Sequence, residues 1–163
     1  PTRRSSDLFN GIAVVDTSGS MTGNTASCPI NVAISLGMYC AERAKGPFAG
    51  HYISFASRPQ LIAVEGVDFC DKVKRIYQAN LCDNTNLEAV FDLILDNAIS
   101  YHMSQDDLPQ NVIIISDMEF DAACGFGYWG SNRGRDKMTL MEGIGKKFEA
   151  AGYELPSSIL PVS

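Results

Sequence analysis

Residues 11–21 read Gly-Ile-Ala-Val-Val-Asp-Thr-Ser-Gly-Ser-Met, and this stretch decides how the rest of the chain is read. Gly11 to Val15 carry no polar side chain, and Asp16 opens a run of Asp, Thr, Ser and Gly. A short apolar run without polar alternation is a strand buried on both faces, and the oxygen-rich segment after it is its loop. A second such run, Val112-Ile113-Ile114-Ile115, is followed in the same way by Ser116-Asp117-Met118-Glu119. Strands of this kind belong to a parallel sheet with helices on both sides.

The intervening segments supply those helices. Over residues 29–45, Ile30, Ala33, Ile34, Gly37 and Ala41 form one stripe and Val32, Leu36 and Cys40 another, so this helix is expected to be buried on two faces; Gly46-Pro47 stops it. Residues 51–56 and 61–64 read as short strands joined like a hairpin by Ser57-Arg58-Pro59. Asp68 is placed to cap a helix over 69–78, with Phe69, Val73, Ile76 and Tyr77 facing in. The clearest helix spans 87–102, where Leu87, Val90, Phe91, Ile94, Leu95 and Ala98 keep one face. A glycine-rich aromatic loop, residues 125–134, leads to a helix over 137–151 with Met141, Ile144, Phe148 and Ala151 inward, and 155–162 is one more strand. The expected architecture is α/β and three-layered: a Rossmann-like, doubly wound, mostly parallel sheet with one short antiparallel edge strand.

Composition narrows the function classes. The 163 residues, 45% hydrophobic and 20% charged, suit one ordinary globular domain. Thirteen Lys and Arg against 19 Asp and Glu leave a net charge of −6, the wrong sign for attracting nucleic acid through the overall field. The apolar runs at 11–15 and 112–115 fall far short of the roughly 18 residues that a membrane helix needs. Five cysteines without a CxxC pair encode neither a disulfide framework nor a zinc knuckle. With no basic leader followed by an apolar stretch, the expected compartment is the reducing cytoplasm. Residues 1–8, PTRRSSDL, have no hydrophobic periodicity and match the translated end of a common short-read sequencing adapter, so they are read as a non-native leader before a domain over 9–163.

In such folds ligands bind beyond the carboxyl ends of the strands. Three loops expected there are rich in oxygen: Asp16 to Met21, Asp83-Asn84-Thr85-Asn86 and Ser116 to Glu119. Hard divalent cations suit such donors, magnesium taking six near-octahedral oxygens at about 2.1 Å. The candidate metal residues are therefore Asp16, Ser18, Ser20, Thr85 and Asp117, with Gly19 letting the backbone turn. Each has a plainer reading. Asp16, Ser18 and Ser20 suit turn and capping chemistry, Thr85 the N-cap of the next helix, and Asp117 a turn cap. Asp83, Asn84, Glu119 and Asp121 either add polarity to the site or sit on solvated loops. Phe126, Tyr128 and Trp129 interleaved with Arg133, Arg135 and Lys137 read as a recognition loop or as a cover over the sheet. His51 at a strand start and His102 at a helix end take structural readings.

VVDTSGSM, NTNLEAV and IIISD, in that order, resemble the metal-ion-dependent adhesion site of von Willebrand factor type A domains. More closely, VVDTSGSM with ISFASRPQL, NTNLEAVFDLIL, IISDMEFDAA and KFEAAGYELP resembles the C-terminal domain of a family of large proteins of unknown function whose last domain is A-type. That resemblance implies Ser18 and Ser20 as direct metal ligands and Thr85 as a ligand directly or through water. It gives Asp16 and Asp117 the task of holding waters and accepting the serine hydroxyl protons. The implied cofactor is Mg2+, or Mn2+ or Ca2+, and the implied partner is a protein offering Asp or Glu, with no bond broken. It also implies an incomplete domain, because a full A-type domain has a further strand and helix.

An enzyme reading puts Asp16 in the place of the nucleophile of haloacid-dehalogenase-type phosphatases. The general acid expected two residues later is replaced by Ser18, whose hydroxyl cannot protonate a leaving group at neutral pH. No GxxxxGK[ST] is present, and TSGSM lacks the first glycine of a GxSxG elbow. A role in an RNA-binding assembly rests on analogy with the Ro ribonucleoprotein, which also ends in an A-type domain.

Overall fold

The computed structural model describes residues 10–22, 29–79, 86–116 and 134–162. Residues 1–8 and most of the 125–134 segment lie outside these residues. Five strands, β1 (Gly11–Asp16), β2 (His51–Phe55), β3 (Leu61–Ala63), β4 (Asn111–Ile115) and β5 (Ser158–Val162), form one sheet in the order β3-β2-β1-β4-β5. β1 lies between β2 and β4 and is parallel to both; β5 is parallel to β4, and β3 is the antiparallel edge. The mostly parallel α/β sheet with one antiparallel edge strand is thus present. Because the chain builds to one side of β1 through β2 and to the other through β4, the order reverses between β1 and β4. Their carboxyl ends flank the crevice where such sheets bind ligands.

Alternation along β1 divides the core. Ile12 and Val14 point to one face, where they join Phe55, Ile114, Val90, Phe91, Ile94, Ile144 and Phe148. These come in part from helices α3 (Leu87–Ser100) and α4 (Gly134–Ala150), the pair that covers this side. Ala13 and Val15 point to the other, against Ile30, Ala33, Ile34, Met38 and Ile76 of α1 (Pro29–Arg43) and α2 (Phe69–Ala79). Lys147 reaches Glu88 and Asp92 at 2.8 Å, tying α4 to α3 at the surface.

Two inward faces are narrower than their sequence suggests. On α1 the stripe Ile30, Ala33, Ile34, Gly37, Met38 and Ala41 is buried, while Val32 is 54% and Leu36 37% exposed. The helix packs on one sheet, and among the described residues nothing covers its far side. Among the described side chains of α2 only Ile76 is fully buried, Val73 is half-buried and Phe69 is 63% exposed, while Tyr77 lies outside them. Phe69 is the first residue of the helix and lies at the margin of the sheet. α3 ends at Ser100, two residues short of the apolar pattern's limit, because Tyr101 is its C-cap and His102 turns left-handed at φ 49°. β5 starts at Ser158, where pairing with Asn111 begins.

The ladder also explains a proline inside β5. Ser158 donates its N–H to the Gln110 carbonyl (3.1 Å), and the Val162 carbonyl accepts from Ser116 (3.1 Å). Even-numbered residues of β5 therefore face β4, and Pro161 turns its missing donor to the outer edge, where no ladder bond is lost.

Gly37 sets how closely α1 approaches β1, since a Cβ there would lie 2.5 Å from Val15 Cγ2. Valine is stiff at χ1 and cannot yield cheaply. Gly37→Ala is expected to destabilise the domain by about 1–2 kcal/mol in urea unfolding, overpacking outweighing the helix propensity gained. Tyr52, 1% exposed beneath α1, has a hydroxyl with no hydrogen-bond partner among the described residues, and burial pushes its phenol well above the usual range. Tyr52→Phe removes this desolvated group without changing the ring. It should raise stability by about 1 kcal/mol, measured in the same way.

Candidate functional site

β1 is buried from Gly11 to Asp16, and Asp16, 0% exposed, is the first polar side chain it meets at the carboxyl end. A buried carboxylate requires partners. Its Oδ1 accepts the Ser18 N–H at 2.9 Å, and its Oδ2 accepts the Ser116 hydroxyl. The first bond folds the loop back over the strand end. The second spans 100 residues of sequence and joins β1 to the end of β4. The register makes this possible, since Val15 pairs with Ile115 and Asp16 and Ser116 come next on adjacent strands.

Beyond Asp16 the loop tightens into a 3-10 turn, Gly19–Thr22, as the Ser18 carbonyl accepts from Met21 N–H at 3.0 Å. Met21, 2% exposed, plugs into the core beneath α1 and anchors the turn. The hydroxyls of half-buried Ser18 and exposed Ser20 are thereby brought to 3.0 Å from each other. Gly19 is not needed for the turn: its φ is not positive, and a Cβ there would meet nothing within 4 Å.

Asp16, Ser18 and Ser20 are therefore assembled at one strand end, whereas Thr85 and Asp117 lie outside the described residues, as do Asp83, Asn84, Glu119 and Asp121. The N-cap of α3, the plainer reading of Thr85, is filled by Asn86, whose side chain accepts the Ala89 N–H at 3.2 Å. Ser116 is a site residue that the local sequence motif did not single out. Its signal was its place as the first polar residue after the second buried run, the position Asp16 holds after the first.

The Ser18 and Ser20 hydroxyls share a hydrogen bond at 3.0 Å, a spacing that the edge of an octahedron with oxygens at about 2.1 Å, about 3.0 Å long, also allows. Each Asp16 oxygen has a second lone pair beyond the bond described. The donors are all hard oxygens, so the residues present fit a magnesium-like ion. Among the described residues no group of three or more His, Cys, Asp or Glu could hold a metal, so a cation here would rest on hydroxyls supported by Asp16.

The model of a family described as a domain of unknown function, DUF7788, matches residues 10–160. The chain belongs to the DUF7788 family. Over 155 residues it is 35% identical to the uncharacterized protein L728 of Acanthamoeba polyphaga mimivirus, an alignment covering 94% of this chain and 25% of that protein. The DUF7788 chain thus spans about a quarter of the length of this relative. The matched region includes all the described strands and the Asp16 loop, apart from the last residues of β5.

Proposed function

We propose that this DUF7788 domain is a divalent-cation-dependent protein-interaction module of the von Willebrand factor A type. The observation that carries the reading is Asp16, pinned between the Ser18 amide and the Ser116 hydroxyl, with the Ser18 and Ser20 oxygens 3.0 Å apart above it. In this reading Ser18 and Ser20 hold the ion directly, and Thr85 holds it directly or through water. Asp16 and Asp117 act through waters. A bound Mg2+, Mn2+ or Ca2+ supplies an electropositive coordination position for an Asp or Glu of the partner. Neutral hydroxyl donors leave the cation's charge largely uncompensated, which favours that carboxylate. Asp16 orients the loop through the Ser18 N–H and accepts the Ser116 proton.

The same geometry disfavours the phosphohydrolase reading. The general acid that such an enzyme needs two residues beyond Asp16 is replaced by Ser18, whose hydroxyl is hydrogen-bonded to that of Ser20. Turnover of an aryl phosphate with magnesium is expected to be absent. The proposal places the module in the cytoplasm, with Cys40 and the exposed Cys70 as free thiols. No helix among the described residues is long and apolar enough to cross a membrane.

Calorimetric titration with Mn2+ tests the site. One ion should bind the wild-type chain, and Ser18→Ala should weaken it at least tenfold with the fold retained. Protein capture by the immobilised chain should occur in magnesium and vanish in EDTA. Absence of Mn2+ binding, or capture that persists in EDTA, would overturn the reading.

A further inference from the structure

At the opposite end of the sheet from Asp16, α3 finishes in a Schellman turn: His102 N–H bonds to the Ile99 carbonyl (3.2 Å) and Met103 N–H to that of Ala98 (2.9 Å). His102 occupies the left-handed position usually given to glycine or asparagine. Among the described residues it is the one non-glycine with positive φ. A side chain kept in an unfavourable conformation invites a search for what it does there. His102 lines a cavity of about 460 Å3, a size that suits a small-molecule ligand.

The polar equipment of this cavity is one-sided. His51 Nδ1 lies 2.9 Å from the Ala49 carbonyl, which can only accept, so Nδ1 donates this bond, and the tautomer with its one proton on Nδ1 presents Nε2 as an acceptor. Asn97 spends an amide N–H on the Leu93 carbonyl (2.7 Å), and its Oδ1 remains as an acceptor. Asp107 Oδ2 takes the Ser104 N–H (3.0 Å) and hydroxyl (2.7 Å). Those bonds hold the carboxyl below its ordinary range, so it is anionic at neutral pH, with Oδ1 not engaged in them. Among the described residues that line the cavity there is no Lys or Arg. The carboxyl end of α3, with its partial negative charge, borders it through Tyr101 and His102. Phe48, Leu61 and Met103 supply apolar wall.

The wall formed by 103–107 is fastened from behind. Tyr153 donates its hydroxyl to the Met103 carbonyl (2.8 Å). The Gln105 side chain bonds both the N–H (2.8 Å) and the carbonyl (3.3 Å) of Glu154. A site held in this way binds without first ordering its walls.

We propose that this cavity binds a small organic cation, an ammonium, amidinium or guanidinium group carried on an apolar body. The charged head meets Asp107, the α3 terminus and the acceptors of His51 and Asn97, and the body lies against Phe48, Leu61 and Met103. Such a cation is either a free amine or an arginine side chain of another protein, and the chemistry of recognition is shared.

Two-dimensional amide NMR of the full chain tests this with benzamidine, its neutral isostere benzamide and its anionic counterpart benzoate. Benzamidine should shift the amides of Asn97, Tyr101, His102 and Met103 saturably at millimolar concentration, with benzamide and benzoate at least tenfold weaker. Asp107→Asn keeps an acceptor for Ser104 and should weaken benzamidine about tenfold. His51→Phe, which removes a ring acceptor that the cation would meet, provides a second variant that should also weaken it if Asp107→Asn fails to fold. Comparison of agmatine with N-acetyl-arginine amide then separates a free amine from a peptide-borne arginine. Equal binding of benzamide, or no saturable shift with benzamidine, would overturn the proposal, as would unchanged benzamidine affinity in folded Asp107→Asn.

Discussion

Asp16→Ala should abolish Mn2+ binding and lower stability by about 2–4 kcal/mol. Both effects have one origin. The carboxylate is fully buried and accepts from the Ser18 amide and the Ser116 hydroxyl, so truncation leaves two donors without their acceptor in a desolvated place. Asp16→Asn separates the two consequences. The amide keeps one acceptor oxygen and most of the volume, so urea unfolding should recover much of the stability. The negative charge that supports a cation is gone, and Mn2+ binding should stay at least a hundredfold weaker. A variant that loses stability yet keeps native Mn2+ affinity would show that Asp16 serves only as a strand cap.

Phe91→Ala is expected to cost about 3–5 kcal/mol, a large part of the roughly 5–15 kcal/mol that holds a domain together. Phe91 is 0% exposed and meets Phe148 edge to face, with ring centroids 6.3 Å apart and planes at 75°. This contact joins α3 to α4 over the sheet. Denaturant unfolding of Phe91→Ala, Phe148→Ala and the double variant should give a coupling of about 0.5–1.5 kcal/mol. Fully additive losses would mean that the rings contribute through burial alone.

The elements that were legible in the sequence owe it to short-range physics. β1 and β4 announce themselves because runs of five and four successive residues without polar side chains cannot face water, and α3 because its apolar residues return every three or four positions. Asp68 was identified as a cap from its position, and its carboxylate accepts the Asp71 N–H at 2.8 Å. The same reasoning failed for Val32, Leu36 and Phe69. Periodicity says that a residue lies on a stripe but not whether a second layer exists for that stripe to pack against.

By itself, then, the sequence determined that this chain builds a parallel α/β sheet, and it put Asp16, Ser18 and Ser20 in the loop after the first buried strand. Those properties are written in the order of neighbouring side chains. Tertiary structure alone decided that Ser116 closes on Asp16, because that pairing depends on β4 lying beside β1 in register. It likewise decided that His51, Asn97, His102 and Asp107 border one cavity. No local window carries the strand order and helix endings that bring such distant residues together, since these are set by how the two covering layers pack on the sheet.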